Sequence, residues 1–384
     1  MPEARVDGPA GPMPLRDLVR EVVSIPTVSY LERHVIAYIR RFAEERGLDY
    51  SEDQYGNAYV VYRRGRARRP LVIGAHTDHP GFVVTAARGR RLELEFRGGL
   101  SAQYGQGEPL RIYGAEDGRP RGRALVGSVQ GVAPPGRTVK RITGARATLE
   151  PGGSAEAGDF ALWDVDECRF RGGLVHARQC DDLIGCVAVL ATLDRAAASR
   201  ASGHLVGLFT RAEEVGLAGA SVAARDRLLP EDALVVALET SSMAGGRAEQ
   251  GAGPIVRVGD AMHIFSPAVT QWMTALAQGL AAEDPAFRYQ RKLMDGGTTE
   301  ATAYDLYGYE TGAACIALGN YHNAGPRDRV SAETVHLGDL EGLVRLCERM
   351  LATVPGYERA LPALRRRYDD IARDAARRMR GSRR

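Results

Sequence analysis

The chain has almost no lysine, few cysteines and no long apolar run. Only Lys140 and Lys292 are lysines among its 51 basic residues, so nearly all of its cationic chemistry is guanidinium. The five cysteines (Cys168, Cys180, Cys186, Cys315 and Cys347) are an odd number without a C-x-x-C pair. That argues against a disulfide framework and a cysteine zinc site, and it suits a reducing compartment, so a cytoplasmic location is expected. No apolar stretch reaches the roughly 20 residues that a bilayer-spanning helix needs, so no membrane partner is expected. The first residues, "MPEARVDGPAGPMP", lack the apolar core of a secretory signal peptide and read as a disordered leader over 1–13.

What is present suits a globular chain with a large core: 384 residues, 44% hydrophobic and 26% charged. That length leaves room for two or three domains, or for one α/β domain with an insertion. Residues 14–47 read as two amphipathic helices. Leu15, Leu18, Val19, Val22 and Val23 share a face of the first, Val35, Ile36, Ile39, Phe42 and Ala43 a face of the second, and Gly47 stops it. "NAYVVYR", "LVIGAH", "HLVGLF" and "ALVVAL" are strand-length runs, the last two apolar throughout, as in strands covered on both faces. Helical patterns at 183–194 and 217–224 separate them, which predicts an α/β fold with a mixed central sheet sandwiched by helices. Residues 89–176 differ, with short alternating runs such as "LELEF", "LRIYG" and "FALWDV" between turn residues, and they predict an inserted small β-barrel. The expected organisation is therefore 14–88 and 177–355 as two parts of one catalytic domain, 89–176 inserted between them, and a basic tail over 356–384. That tail has ten Arg against four acids, leaving the rest of the chain net −3 out of a total of +3. Its acids interleave with its arginines, so intrahelical pairing is favoured over nucleic-acid phosphates as the arginines' partner.

Five short segments carry chemistry. "LVIGAHTDHPGFVV" ends a buried strand in His76-Thr77-Asp78, where positions two apart face the same way. A metal-bound imidazole usually gives its second N–H to a carboxylate, and Asp78 stands in place to receive it. "QCDDLIGC" sets Asp181 and Asp182 at the start of an apolar helix; one caps it, and the other is left free. "LFTRAEEVGLAGA" sets Glu213 and Glu214 just past an apolar strand, where α/β proteins build sites. Glu239 ends "ALVVALE", and His322 follows "ACIALG" in "LGNYHNAGPRDRV". Each alone also fits an ordinary cap, an acidic first turn or a polar loop. Together they hold two imidazoles and enough carboxylates for two divalent metal ions about 3.5–4 Å apart, one carboxylate bridging, with an open position for water.

The order H-x-D, D-D, E-E, acid, H resembles the co-catalytic metallopeptidases. "HTDHPGFVV", "CDDLIGC", "TRAEEVGLAGA" and the large β insertion between the first two are similar to the M42 glutamyl aminopeptidase family, over roughly residues 14 to 350. The related M20 family shares the metal set but carries its extra domain later. The resemblance implies that His76 and Glu239 hold one metal, Glu214 and His322 the other, and Asp181 bridges them. It implies that Asp78 orients His76, that Glu213 is the general base on a metal-bridging water, and that the bond after Asp181 is cis. It also implies two divalent ions, zinc foremost with cobalt or manganese acceptable, a peptide substrate with a free amino terminus, and a homo-oligomer built through the β insertion. The chain departs from the pattern at His79, Leu183, Glu239 and "GGTTEA", where Glu300 takes the place of an Asp and is expected near the substrate ammonium. An M20-like dipeptidase, carboxypeptidase or N-acyl amino acid deacylase is the second reading, and a non-catalytic binding protein on the same fold the third.

Overall fold

A computed structural model describes residues 11–66, 69–136, 138–246, 248–354, 357 and 360–381. The chain opens with helices α1 (Leu15–Val23) and α2 (Arg33–Glu45), then strands β1 (Asp49–Glu52), β2 (Ala58–Arg64) and β3 (Leu71–His76). Six strands follow: β4 (Gly81–Arg88), β5 (Arg91–Arg97), β6 (Pro109–Tyr113), β7 (Pro120–Val132), β8 (Arg141–Leu149) and β9 (Phe160–Trp163). They close into a barrel in the order β4-β5-β8-β7-β6-β9. Its core is built on alternation: along β5, Leu92, Leu94 and Phe96 are buried while Arg91, Glu93 and Glu95 face water. Phe82 meets Trp163 edge to face at a centroid distance of 5.1 Å inside it.

Past β10 (Cys168–Arg171) and β11 (Leu174–Ala177) the chain alternates α3 (Leu183–Ala198), β12 (Gly203–Thr210), α4 (Ala218–Arg225), β13 (Leu234–Ser242), β14 (Ile255–Arg257), α5 (Pro267–Glu283), β15 (Gln290–Lys292), α6 (Glu300–Leu306) and β16 (Glu310–Leu318). It ends with β17 (Glu333–His336), α7 (Leu337–Thr353) and α8 (Ala360–Gly381). The main sheet has eight strands in the order β1-β2-β12-β3-β13-β16-β14-β15, and its four central strands β12, β3, β13 and β16 are mutually parallel. This is the mixed sheet that the apolar runs predict.

Side chains of the central strands alternate between two helical layers. Leu71, Ile73, Leu234, Val236 and Ile316 point to the side of α1, α2, α3, α5 and α7. Val72, Val206, Leu208, Val235 and Ala237 pack against α4 and α6. α3 has buried residues along nearly its whole length, which is why "LIGCVAVLATL" reads as apolar without a helical period. One feature departs from the sequence pattern: β10 and all but the last residue of β11 lie within the expected insertion 89–176, yet they form a small antiparallel sheet with β17, and the barrel strands span Gly81–Trp163. Strand pairing across some 160 residues leaves no local trace in a sequence. No helix among the described residues is long and apolar enough to cross a membrane.

Candidate metal centre

Parallel strands all deliver their carboxyl ends to one edge of the sheet, and there the singled-out residues meet. His76 is the last residue of β3, Glu213 and Glu214 follow β12, Glu239 lies within β13 near its end, and His322 follows β16. Asp181 and Asp182 precede α3. Asp182 caps that helix, accepting from the Gly185 N–H at 3.1 Å, which frees the Asp181 carboxylate to turn into the site. The bond between the two aspartates is cis.

Ligand-type atoms of His76, Asp181 and Glu239 lie within 4.8 Å of one another, and so do those of Asp181, Glu214 and His322. Asp181 belongs to both triads: His76 Nε2 is 3.5 Å from its Oδ1, and His322 Nε2 is 3.5 Å from its Oδ2. His322 Nε2 is also 3.1 Å from Glu214 Oε1, and Glu213 Oε2 is 3.9 Å from His76 Nε2. Although buried, Asp181 Oδ1 and Glu214 Oε1 have no hydrogen-bond partner among the described residues.

The electrostatics agree. Burial pushes the Glu213 carboxyl well above its usual range, with Glu239 and Glu214 pushing the same way against His76. Burial also lifts Glu239 to about 7. Burial disfavours charge on His76 and His322 too, yet the acids around them hold both imidazoles well above their ordinary value. Asp181 is held below its ordinary range by those imidazoles in spite of its burial. Acids and imidazoles raised together mark a pocket short of positive charge. Two divalent cations fit this donor set of imidazole nitrogens and carboxylate oxygens.

Surrounding groups hold the donors in place. His76 Nδ1 bonds the Asp78 backbone carbonyl at 3.1 Å, with the Asp78 carboxylate 3.3 Å away. That carboxylate accepts from Ser29 Oγ and from the backbone N–H groups of Glu213 and Glu214, so it also ties the Glu-Glu turn to β3. In that turn Gly216 takes φ +117°, and a side chain on Gly219 would meet the Arg211 carbonyl oxygen at 2.5 Å, which accounts for both glycines of "EEVGLAGA".

Two further residues escaped sequence reasoning, and a third, His79, stood out in the sequence without a role. Glu333, fully buried, accepts from the Cys180 and Asp181 N–H groups through Oε2 and from the His322 N–H through Oε1. Glu32 accepts from the Ala212 N–H and from Arg211, just before Glu213. His79 is buried, its ring bonding the Asp181 carbonyl at 2.7 Å and Asn323 Oδ1 at 3.1 Å. None of these roles shows a local signal, since each residue bonds groups far away in sequence. Glu300, expected near the substrate ammonium, opens α6, where it accepts from Thr210 Oγ1 and lies 3.5 Å from the Tyr304 hydroxyl; it is not among the residues that line the cavity over the triads.

The M42 glutamyl aminopeptidase family matches residues 56–346, most of the chain. The chain belongs to that family. Its fold is shared with the Pyrococcus horikoshii TET1 peptidase, at 22% identity and a TM-score of 0.70 over 88% of this chain and 99% of that one. An aminopeptidase from the archaeon Desulfurococcus kamchatkensis aligns at 21% identity and a TM-score of 0.71, over 88% and 94% of the two chains. A 72-residue stretch is 36% identical to the cytosol non-specific dipeptidase of Escherichia coli (strain K12), covering 17% of this chain and 14% of that protein's length.

Proposed function

We propose that this chain is a two-metal aminopeptidase that removes N-terminal residues from peptides. Family membership supports it, and the observation that carries it is the pair of triads sharing Asp181. His76 and Glu239 would hold one ion, Glu214 and His322 the other, and Asp181 both. Zinc is the favoured ion, and cobalt or manganese also suit these donors; bound there, the pair would supply Lewis acidity to polarise the scissile carbonyl and ease loss of a proton from water.

The protein's own groups supply the rest. Glu213 stands at the cavity wall with its side chain 12% exposed, reachable from the cavity. Its raised proton affinity suits a general base that takes a proton from the attacking water and passes it to the leaving amine. Asp78 positions His76 and the Glu213 backbone together. The cavity, about 250 Å³, carries the carboxylates of Asp181, Glu213, Glu214 and Glu239, a lining that attracts a free α-ammonium.

A cytoplasmic location is proposed on the five free cysteines. A homo-oligomer is proposed on the TET1 peptidase, whose structure is described as a tetrahedron or a large octahedral shell. The barrel is proposed to govern assembly and substrate access. Its Gly99 carbonyl bonds His322 Nδ1 at 2.6 Å, and its 132–135 turn shares a second cavity with Glu214. The test is a peptide panel with free and N-acetylated amino termini, given to zinc- or cobalt-reconstituted protein and to Glu213→Gln. Cleavage restricted to free-amine peptides and lost in the variant is expected. Preference for blocked peptides would move the protein to the deacylases, and silence with metal bound would favour a binding protein.

A further inference from the structure

The two imidazoles of the centre are oriented from different parts of the molecule. His76 Nδ1 bonds the Asp78 backbone carbonyl, so its ring is set by the end of its own strand. His322 is set from the barrel. Its Nδ1 donates to the Gly99 carbonyl at 2.6 Å, which leaves Nε2 as the lone-pair atom facing Asp181 and Glu214. Leu100, the next residue, is buried in the barrel core, and its carbonyl accepts from the Ile142 N–H on β8. On the catalytic side, Glu333 and Asn323 hold the backbone around His322, while the ring takes its direction from Gly99. The barrel also grips the segment that follows His322. Val330 belongs to the barrel core, and Ala324 packs against it. Gln103 donates to Asp328 Oδ1 at 2.9 Å. Arg329 pairs through Nε and Nη2 with the carboxylate of Glu108, which is buried just before β6.

We propose that Glu108 and Arg329 are positioning residues for the His322 half of the metal centre. By clamping residues 324–330 onto the barrel they keep the Gly99 carbonyl on His322. One ion is then held by the catalytic domain, and the other is held firmly only while the barrel is docked. This inference rests on the two-metal reading of the triads. Loosening the clamp frees the His322 ring to turn and to exchange its tautomer, and a ligand that has to be ordered on binding loses affinity. His76 takes its direction from Asp78 and is independent of the clamp. A contact that served stability alone would act on both ions equally, whereas a positioning clamp acts on one.

The test titrates chelator-treated, full-length protein with cobalt in a calorimeter, in two backgrounds that each keep one half of the centre. Glu239→Gln keeps the His322 half, and Glu214→Gln keeps the His76 half. Added to the first, Arg329→Gln and Glu108→Gln are each expected to weaken cobalt binding about tenfold. Added to the second, both should leave it unchanged. Arg329→Lys, which keeps the charge, should recover part of the loss. Equal weakening in both backgrounds, or none in the first, overturns the proposal. The Arg329 side chain is largely exposed, so Arg329→Gln decides the matter alone should the buried Glu108→Gln not fold. Fewer than two cobalt ions per chain in the wild type would defeat the two-metal reading by itself. The clamp is then judged in the metal-free protein from the His322 Nδ1–H proton, observed by NMR. A protected signal in the wild type that is lost in Arg329→Gln supports it, and a signal that survives the substitution overturns it.

Discussion

Carboxylates on α8 and carboxylates in the metal cavity live under opposite conditions. Asp370 and Asp374 stand in water, one turn from Arg373 and Arg378 with which they pair. Asp181 and Glu239 are buried and Glu213 and Glu214 nearly so, with two imidazoles for company and oxygen atoms left unbonded. Exposed pairs of the first kind contribute about 0.3–0.5 kcal/mol each. A buried acid cluster opposes folding unless positive charge arrives, so its presence points to a function, while the acids of α8 need none.

The sharpest break in that comparison is at Glu213. Glu213→Gln keeps shape and burial but removes the base, and kcat should fall by about 10²–10⁴ while bound metal, measured by atomic absorption, stays constant. Loss of metal along with activity would make Glu213 a ligand instead.

Next comes metal removal. Without cations, Glu300 and Glu239 keep folded-state values of about 7 against 4.5 in the unfolded chain. Between those values the folded protein binds more protons than the unfolded one. Stability is therefore fully present below about pH 4.5 and is lost as pH rises towards 7, by roughly 3 kcal/mol for Glu300 taken alone. Urea unfolding of chelator-treated protein should show this fall, and zinc at neutral pH should reverse it. A metal-free protein that grows more stable over the same window would contradict the picture of a site short of positive charge.

A smaller effect is expected at Asp78. Asp78→Asn would turn an amide donor towards one of the N–H groups that now bond the carboxylate, loosening both His76 and the Glu-Glu turn. Metal affinity should drop about 10–100-fold with the fold retained; an unchanged affinity would mean that the backbone carbonyl of Asp78 suffices to orient His76. Smallest of all, Asp374→Asn on α8 should change stability by less than about 0.5 kcal/mol and leave kcat/KM untouched. A larger loss of activity would show that this helix takes part in the site or its assembly.

Much of this was legible from residues met in order. The sheet announced itself because its central strands are buried on both faces, which requires unbroken apolar runs such as "ALVVAL". The donors announced themselves because a site at the carboxyl edge of a parallel sheet needs polar residues directly after those runs, as at His76, Glu213 and Glu214. The aspartate pair was readable because a helix needs one cap, and the second acid then has to be explained. The β insertion was readable from alternation, although β10 and β11 turned out to pair with β17, a choice made by the packing of distant segments.

The sequence by itself therefore determined the class of fold and nominated the acids and imidazoles that gather at the sheet edge, since strand burial, helix capping and strand-end placement are local rules with a short period. Only the tertiary structure decided which other buried groups serve the site. Glu333 holds Asp181 and His322 by their backbone N–H groups, with Glu333 and Asp181 152 positions apart. Glu32 holds Ala212 across 180 positions, and Glu300 accepts from the Thr210 hydroxyl. A hydrogen bond to a backbone N–H depends on where a side chain ends up and hardly at all on its neighbours in the chain, so such roles leave no mark on the sequence.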